Sequence, residues 1–286
     1  MKIVIIGASG FLGTKLMNIL SKNNKVIGTY SKNKKENLVQ LDATNEQEVK
    51  EFLLKNKPDL VIDTIALTSS VACEKDPALC KLLNYQTAKN IVEACKLINV
   101  PMIFMSSTYI FDGKSGDYSE SDVPIPLNEY GKMKILAEQE LLKYPKSIIL
   151  RVDIMYGFNG KNEKNGVFGG SILTGNEVKL REPNQMRTPV FVEDVSRAIL
   201  FLAEKKQNGI FHVAGKDKVK MMDFLKSLEK IVRNDTKIVE DMDKTSVAPV
   251  KAPFNATFNT SKMEKLGFKF SSFEEGLKEL RKQYQA

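Results

Sequence analysis

The chain has 286 residues, of which 42% are hydrophobic, 27% are charged and only three are cysteine; this is enough for a substantial core, so a mini-protein that needs covalent staples is excluded. Cys73, Cys80 and Cys95 form no C-x-x-C pair and are too few and scattered for a disulfide framework or a zinc site, so three reduced thiols and no metal are expected. The net charge of +8 comes from lysines dispersed along the chain, often beside acids, which argues against a dedicated nucleic-acid surface, and no apolar run approaches the ~20 residues of a membrane helix.

The opening run Met1-Lys2-Ile3-Val4-Ile5-Ile6 is too short for a signal segment and is broken at Gly7, so it reads as a first buried strand of a cytoplasmic protein. It leads into Gly7-Ala8-Ser9-Gly10-Phe11-Leu12-Gly13 and then a helix whose apolar positions Leu12, Leu16, Ile19 and Leu20 recur at helical spacing. Glycines between a strand and a helix permit a tight turn and let backbone N–H groups approach a pyrophosphate at the positive helix end. A second strand over residues 25–29 ends in Tyr30-Ser31-Lys32-Asn33-Lys34-Lys35. Strands that hold NAD usually end near an acid for the ribose 2′-hydroxyl; Ser31 and Lys32 instead suit a 2′-phosphate, so NADP(H) is preferred and NAD(H) is the alternative.

Strands at 39–41 and 60–63 continue the alternation, with Asp42-Ala43-Thr44 opening a helix between them. Asp42 either accepts from an adenine amino group or helps Thr44 cap that helix. A helix over 78–99 carries Ala88, Ile91, Val92 and Cys95 on one stripe, and Asn84 falls on the same stripe. A buried amide needs partners, so Asn84 is expected to brace a neighbouring loop, with the ordering of a water near the active site as the alternative. A strand at 101–105 then delivers Ser106-Ser107-Thr108-Tyr109-Ile110-Phe111-Asp112-Gly113 to the carboxyl edge of the sheet, where ligands of open α/β sheets bind.

In Asn128-Glu129-Tyr130-Gly131-Lys132-Met133-Lys134, the tyrosine and the second lysine are four residues apart and share one helix face. A phenol beside an ammonium is a proton donor for a carbonyl, and the positive charge is expected to lower the phenol pKa. The single histidine, His212, lies in an apolar strand at 210–213 and reads as a core residue; Met221 and Met222 open an amphipathic helix and read as core as well.

The glycine turn, Ser107, and Tyr130 with Lys134 together resemble the extended short-chain dehydrogenase/reductase family. Ser-Ser-Thr-Tyr-Ile-Phe-Asp-Gly at 106–113 and Pro-Leu-Asn-Glu-Tyr-Gly-Lys-Met-Lys at 126–134 are most similar to the dTDP-4-dehydrorhamnose reductases and the related methionine adenosyltransferase beta subunits. The likeness continues through 187–195, 209–215 and 255–262 and so covers nearly the whole chain.

The resemblance implies a Rossmann-type doubly wound parallel sheet with a smaller C-terminal substrate-binding domain. Residues 1–150 and 188–215 would bind the dinucleotide; residues 151–187 and 216–286 would bind substrate, with a mobile substrate loop at 157–170. It further implies that Tyr130 protonates a ketone oxygen, Ser107 hydrogen-bonds the same oxygen, and Lys134 holds the nicotinamide ribose. The cofactor would lie against Gly7, Ser9, Gly10, Phe11, Leu12, Gly13, Ser31, Lys32, Asp42, Ala43 and Ala66, and the substrate against Thr68, Thr108, Tyr109 and Arg187. The implied partner is a small-molecule nucleotide sugar, with a homodimer left open and neither nucleic acid nor membrane involved.

Three positions depart from the reductases resembled: Thr108 stands where they usually have Asp, Asp63 where they have Asn, and Ala252 precedes Pro253 where Arg is usual. The reading is an NADPH-dependent reductase of a 4-keto nucleotide sugar. Two alternatives stay open: an epimerase that uses the same triad, and a non-catalytic NADP-binding regulatory subunit.

Overall fold

A computed structural model of the chain describes residues 1–160, 172, 177–232, 236–241 and 250–285. The expected loop at 157–170 lies for the most part outside the described residues.

The central element is a seven-stranded parallel sheet, formed by β1 (Lys2–Ile6), β2 (Lys25–Tyr30), β3 (Leu38–Gln40), β4 (Leu60–Asp63), β5 (Met102–Ser107), β6 (Ser147–Val152) and β7 (Gly209–Val213). The spatial order is β7-β6-β5-β4-β1-β2-β3, so the chain winds outward from β1 first one way and then the other. That reversal leaves a crevice at the carboxyl ends of β1 and β4. Near-continuous apolar strands such as Lys2–Ile6 and Met102–Ser107 follow from burial on both faces.

Helices cover both faces. On one, α1 (Phe11–Leu20) and α7 (Val192–Glu204) pack Leu12, Leu16, Val195 and Ile199 against Ile3, Ile62 and Ile148. On the other, α2 (Glu46–Asn56), α5 (Thr87–Ile98) and α6 (Glu129–Leu141) pack Leu53, Ile91 and Ala137 against Val4, Val61 and Phe104.

Between β4 and α5 the chain forms two short helices, α3 (Ser70–Lys75) and α4 (Pro77–Lys81), followed by a π-helical turn at Leu82–Gln86. The single helix expected over 78–99 is thus α4, the π turn and α5 in succession. Pro77 at the first turn of α4, with Asp76 capping Leu79 N at 2.9 Å, folds α4 back beside α3. This brings Cys73 and Cys80 to a Cα separation of 4.8 Å in a disulfide, which corrects the expectation of three reduced thiols; Cys95 is free and buried. A separation of seven residues carries no pairing signal in sequence, because the contact depends on how two helices turn.

A third apolar cluster joins Tyr156 and Phe191 to Phe224, Leu225 and Leu228 of α8 (Met221–Val232) and Leu280 of a C-terminal helix over Phe273–Gln285. Met221 is buried in that cluster and Met222 packs against it, as expected. No helix among the described residues is long and apolar enough to cross a membrane.

Candidate active site

The glycine turn is built as the sequence predicts. Gly7 has φ +87°, a left-handed conformation that favours glycine, and Gly10 N–H donates to the Gly7 carbonyl at 3.0 Å. A Cβ on Gly13 would stand 2.6 Å from both Ala8 Cα and the Gly7 carbonyl oxygen, so glycine there lets α1 rest directly on the turn. Gly10 caps α1 without a side-chain hydrogen bond, and the first turn of α1 has no acid. The positive end of the helix therefore has no internal anion, as a pyrophosphate site requires. Ser9 and Phe11 are half-buried at this edge, and Leu12 points into the core.

Ser31 and Lys32 are exposed just past β2, beside the turn. Lys35 reaches from the same loop to Thr14 Oγ1 on α1 at 3.4 Å and adds a cation to the rim. Its only signal in sequence was membership of a lysine run. Asp42 does not cap α2. Its carboxylate accepts from Thr44 N–H and Oγ–H at 3.0 and 2.7 Å, while Asn45 is the cap, accepting from Gln47 and Glu48 N–H. Ala43 is buried, and its carbonyl accepts from Asn90 at 3.0 Å.

Ala66 and Thr68 sit on the segment after β4. Asn84, in the π turn, holds Leu67 between them by both its N–H (3.1 Å) and its carbonyl (3.2 Å), the bracing expected of a buried amide. The same amide donates to the Cys80 sulfur at 3.3 Å, so the loop and the disulfide share one support.

Helix α6 is fixed at its start by Asn128, whose Oδ1 accepts from Gly131 N–H at 2.9 Å and whose amide donates to the Lys251 carbonyl at 2.8 Å. This sets Tyr130 and Lys134 against the end of β5. The Tyr130 phenol is hydrogen-bonded to Ser107, and burial pushes its pKa up to about 12. The expectation that a neighbouring ammonium lowers it is therefore corrected. Desolvation outweighs a charge whose nitrogen lies 5.9 Å from the ring centre and is turned toward the Met105 carbonyl at 2.9 Å. A phenol in this state keeps its proton across the neutral range. Lys134, 1% exposed, is pulled down to about 8 by burial, against the opposing pull of Asp63 and Glu138.

Of the residues expected at the substrate, Tyr109, Arg187 and Thr108 stand near this pair. Tyr109 packs edge-on against Tyr130 with ring centres 5.6 Å apart, and the Arg187 guanidinium lies 5.9 Å from the Tyr109 ring. Arg187 is 1% exposed, donates to Gln185 at 3.3 Å, and leaves its Nη1 without a hydrogen-bond partner. A buried guanidinium with an unused donor suits an anionic ligand.

Thr108 is buried, and its hydroxyl donates at 3.4 Å to Asp153, which also accepts from Thr188 N–H at 2.6 Å. A carboxylate is thus present behind Thr108, supplied from beyond β6. Sequence reasoning missed Asp153, although its place at a strand's carboxyl end was a usable signal. His212 is fully buried and stacked on Phe258 at 3.9 Å, with Nδ1 facing the Tyr118 carbonyl; burial holds its pKa down to about 3, so it is a neutral core residue as expected.

The family model described as RmlD substrate binding domain matches residues 1–286. The chain belongs to that family. Among curated relatives, the probable low-salt glycan biosynthesis reductase Agl14 of Haloferax volcanii is 29% identical, with 86% of each chain covered. The methionine adenosyltransferase 2 subunit beta of Xenopus laevis is 27% identical over 96% of this chain and 86% of its own. Among solved structures, the dTDP-4-dehydrorhamnose reductase of Bacillus anthracis in complex with NADP superposes with a TM-score of 0.86 at 25% identity, covering 99% of both chains. For this RmlD-family chain, the Rossmann-like sheet and the Tyr130–Lys134 helix therefore stand in a fold already solved around NADP.

Proposed function

We propose that this chain is an NADPH-dependent reductase of a 4-keto nucleotide sugar. The observation that carries the reading is a protonated, buried Tyr130 phenol hydrogen-bonded to Ser107, one helical turn from Lys134, at the carboxyl end of β5. Family membership and the NADP-bound reductase of the same fold support it.

The bare N-terminus of α1 and the close packing at Gly7 and Gly13 fit a dinucleotide pyrophosphate; Ser31, Lys32 and Lys35 fit a 2′-phosphate, and Lys134 fits the nicotinamide ribose. When bound, the reduced nicotinamide supplies hydride. Tyr130 donates its proton to the ketone oxygen, and Ser107 stabilises the charge developing on that oxygen. Arg187, with its unused Nη1, holds the anionic part of the nucleotide. Residues 1–150 and 188–215 would form the dinucleotide half of this machine, and residues 151–187 and 216–286 the substrate half.

The test follows NADPH absorbance with a panel of 4-keto nucleotide sugars, in wild type and Tyr130→Phe. Oxidation by wild type, with kcat lower by roughly 10²–10⁴-fold in the variant and NADPH affinity nearly unchanged, is the expected result. The likeness to methionine adenosyltransferase beta subunits over 96% of the chain favours one second reading, a regulatory subunit. Tight NADPH binding without oxidation of any sugar, together with altered kinetics of an added methionine adenosyltransferase, would replace the reductase by that reading.

A further inference from the structure

Asp63, at the carboxyl end of β4, is the only acid in the seven strands of the sheet, and the mechanism above does not use it. Strand alternation puts Leu60 and Ile62 on the α1 face and Val61 on the face covered by α5 and α6. Asp63 follows Val61 by two and shares its face. Its registered neighbour on β5 is Phe104, and the Lys134 ammonium lies 4.6 Å from the centre of that ring. The carboxylate and the ammonium therefore project into the same dry layer from adjacent positions, each residue only 1% exposed.

Neither group is satisfied by neutral partners. Asp63 Oδ1 accepts from Ile65 N–H at 2.9 Å, and Oδ2 has no hydrogen-bond partner. Lys134, a group with three N–H donors, donates to the Met105 carbonyl. The other charged groups facing this layer are already matched: Glu138, one turn further along α6, is held by Arg151 at 2.7 Å and by Ser106 at 2.5 Å. Cys95 on α5 faces Asp63 and is kept as a neutral thiol by burial, and Tyr130 is kept as a phenol. An unmatched buried ammonium would shed its proton.

We propose that Asp63 is a positioning residue for the active site, the buried counter-ion that keeps the Lys134 ammonium charged. The inference rests on the reading in which Lys134 holds the cofactor ribose, but it concerns a property of the chain itself. Burial raises Asp63 to about 6 and lowers Lys134 to about 8, so both are ionised together between those two values. Below the lower value Asp63 is neutral; above the upper value Lys134 is neutral. Asn, the residue usual at this position in the reductases resembled, keeps the shape and removes the charge, so Asp63→Asn should move the Lys134 midpoint downward by about 1–2 pH units.

The experiment is an NMR titration of the full chain labelled with [13Cε]lysine, with the Lys134 signal assigned by its loss in Lys134→Met. The expected result is a wild-type midpoint near 8 that falls by at least about one unit in Asp63→Asn, with the alkaline limit of NADPH affinity moving by the same amount. An unchanged midpoint overturns the proposal. Should Asp63→Asn not fold, the wild-type Lys134 signal still decides: a second inflection near 6, where Asp63 titrates, supports it, and its absence overturns it. Failure of the reductase reading would look different, because the Lys134 midpoint would still shift while wild type oxidised no NADPH with any sugar.

Discussion

Lys134 shows at a single residue how function and stability oppose each other. Its folded pKa of about 8 lies below the usual 10.5, so burial disfavours the charged form. Below about 8 folded and unfolded chains both carry the proton and the full desolvation penalty acts. Between about 8 and 10.5 the folded chain has released it while the unfolded chain has not, so this site makes stability rise with pH across that window. Lys134→Met should remove that rise and abolish turnover. Calorimetry of both proteins at neutral and alkaline pH checks this, and a variant whose stability still climbed as steeply as wild type between about pH 8 and 10.5 would contradict it.

Helix α6 acts as a positioning rod whose N-terminus decides where Tyr130 stands. Asn128 is 1% exposed and closes two hydrogen bonds, one to its own helix and one to Lys251 far along the chain. Asn128→Ala should destabilise by about 1–2 kcal/mol, from a lost cap and an orphaned carbonyl. It should also depress kcat more than NADPH affinity, because the phenol is displaced while the α1 turn is untouched; urea unfolding and steady-state kinetics measure the two. Gly131 makes a sharper point. In a free helix Ala would be favoured over Gly by about 1 kcal/mol, but here a Cβ would stand 2.1 Å from the Tyr109 carbonyl oxygen. Gly131→Ala should therefore destabilise by about 1–3 kcal/mol, and a variant more stable than wild type would refute the close contact.

At the scale of the whole molecule, polar ties join the sheet and its first helix to elements beyond β6. Lys15 on α1 bonds Glu193 on α7 at 2.8 Å and the Phe158 carbonyl at 2.7 Å, and Asp153 beyond β6 binds Thr188. A ligand that spans the crevice adds to these ties. NADPH at about 100 times its Kd adds about 2.7 kcal/mol, which corresponds to a rise in melting temperature of roughly 5–10 °C. NADH at the same concentration should give a smaller shift if Ser31, Lys32 and Lys35 recognise a 2′-phosphate. Equal shifts measured by differential scanning fluorimetry would remove the preference for NADP.

By itself, the sequence determined the alternation of strand and helix, the glycine turn, the shared face of Tyr130 and Lys134, and the core setting of His212, because each depends on near neighbours in the chain. Periodicity reports burial, and glycine spacing reports backbone shape, without reference to distant residues. Tertiary structure alone decided the Cys73–Cys80 bond, the carboxylate of Asp153 behind Thr108, the unmatched donor on Arg187 and the place of Asp63 beside Lys134. It also reversed the direction of the Tyr130 shift. Each of these depends on what lies next to a side chain across elements and on how much water is excluded there. A pair at i and i+4 tells which charge is near, but only the packed layer tells what desolvation does to it.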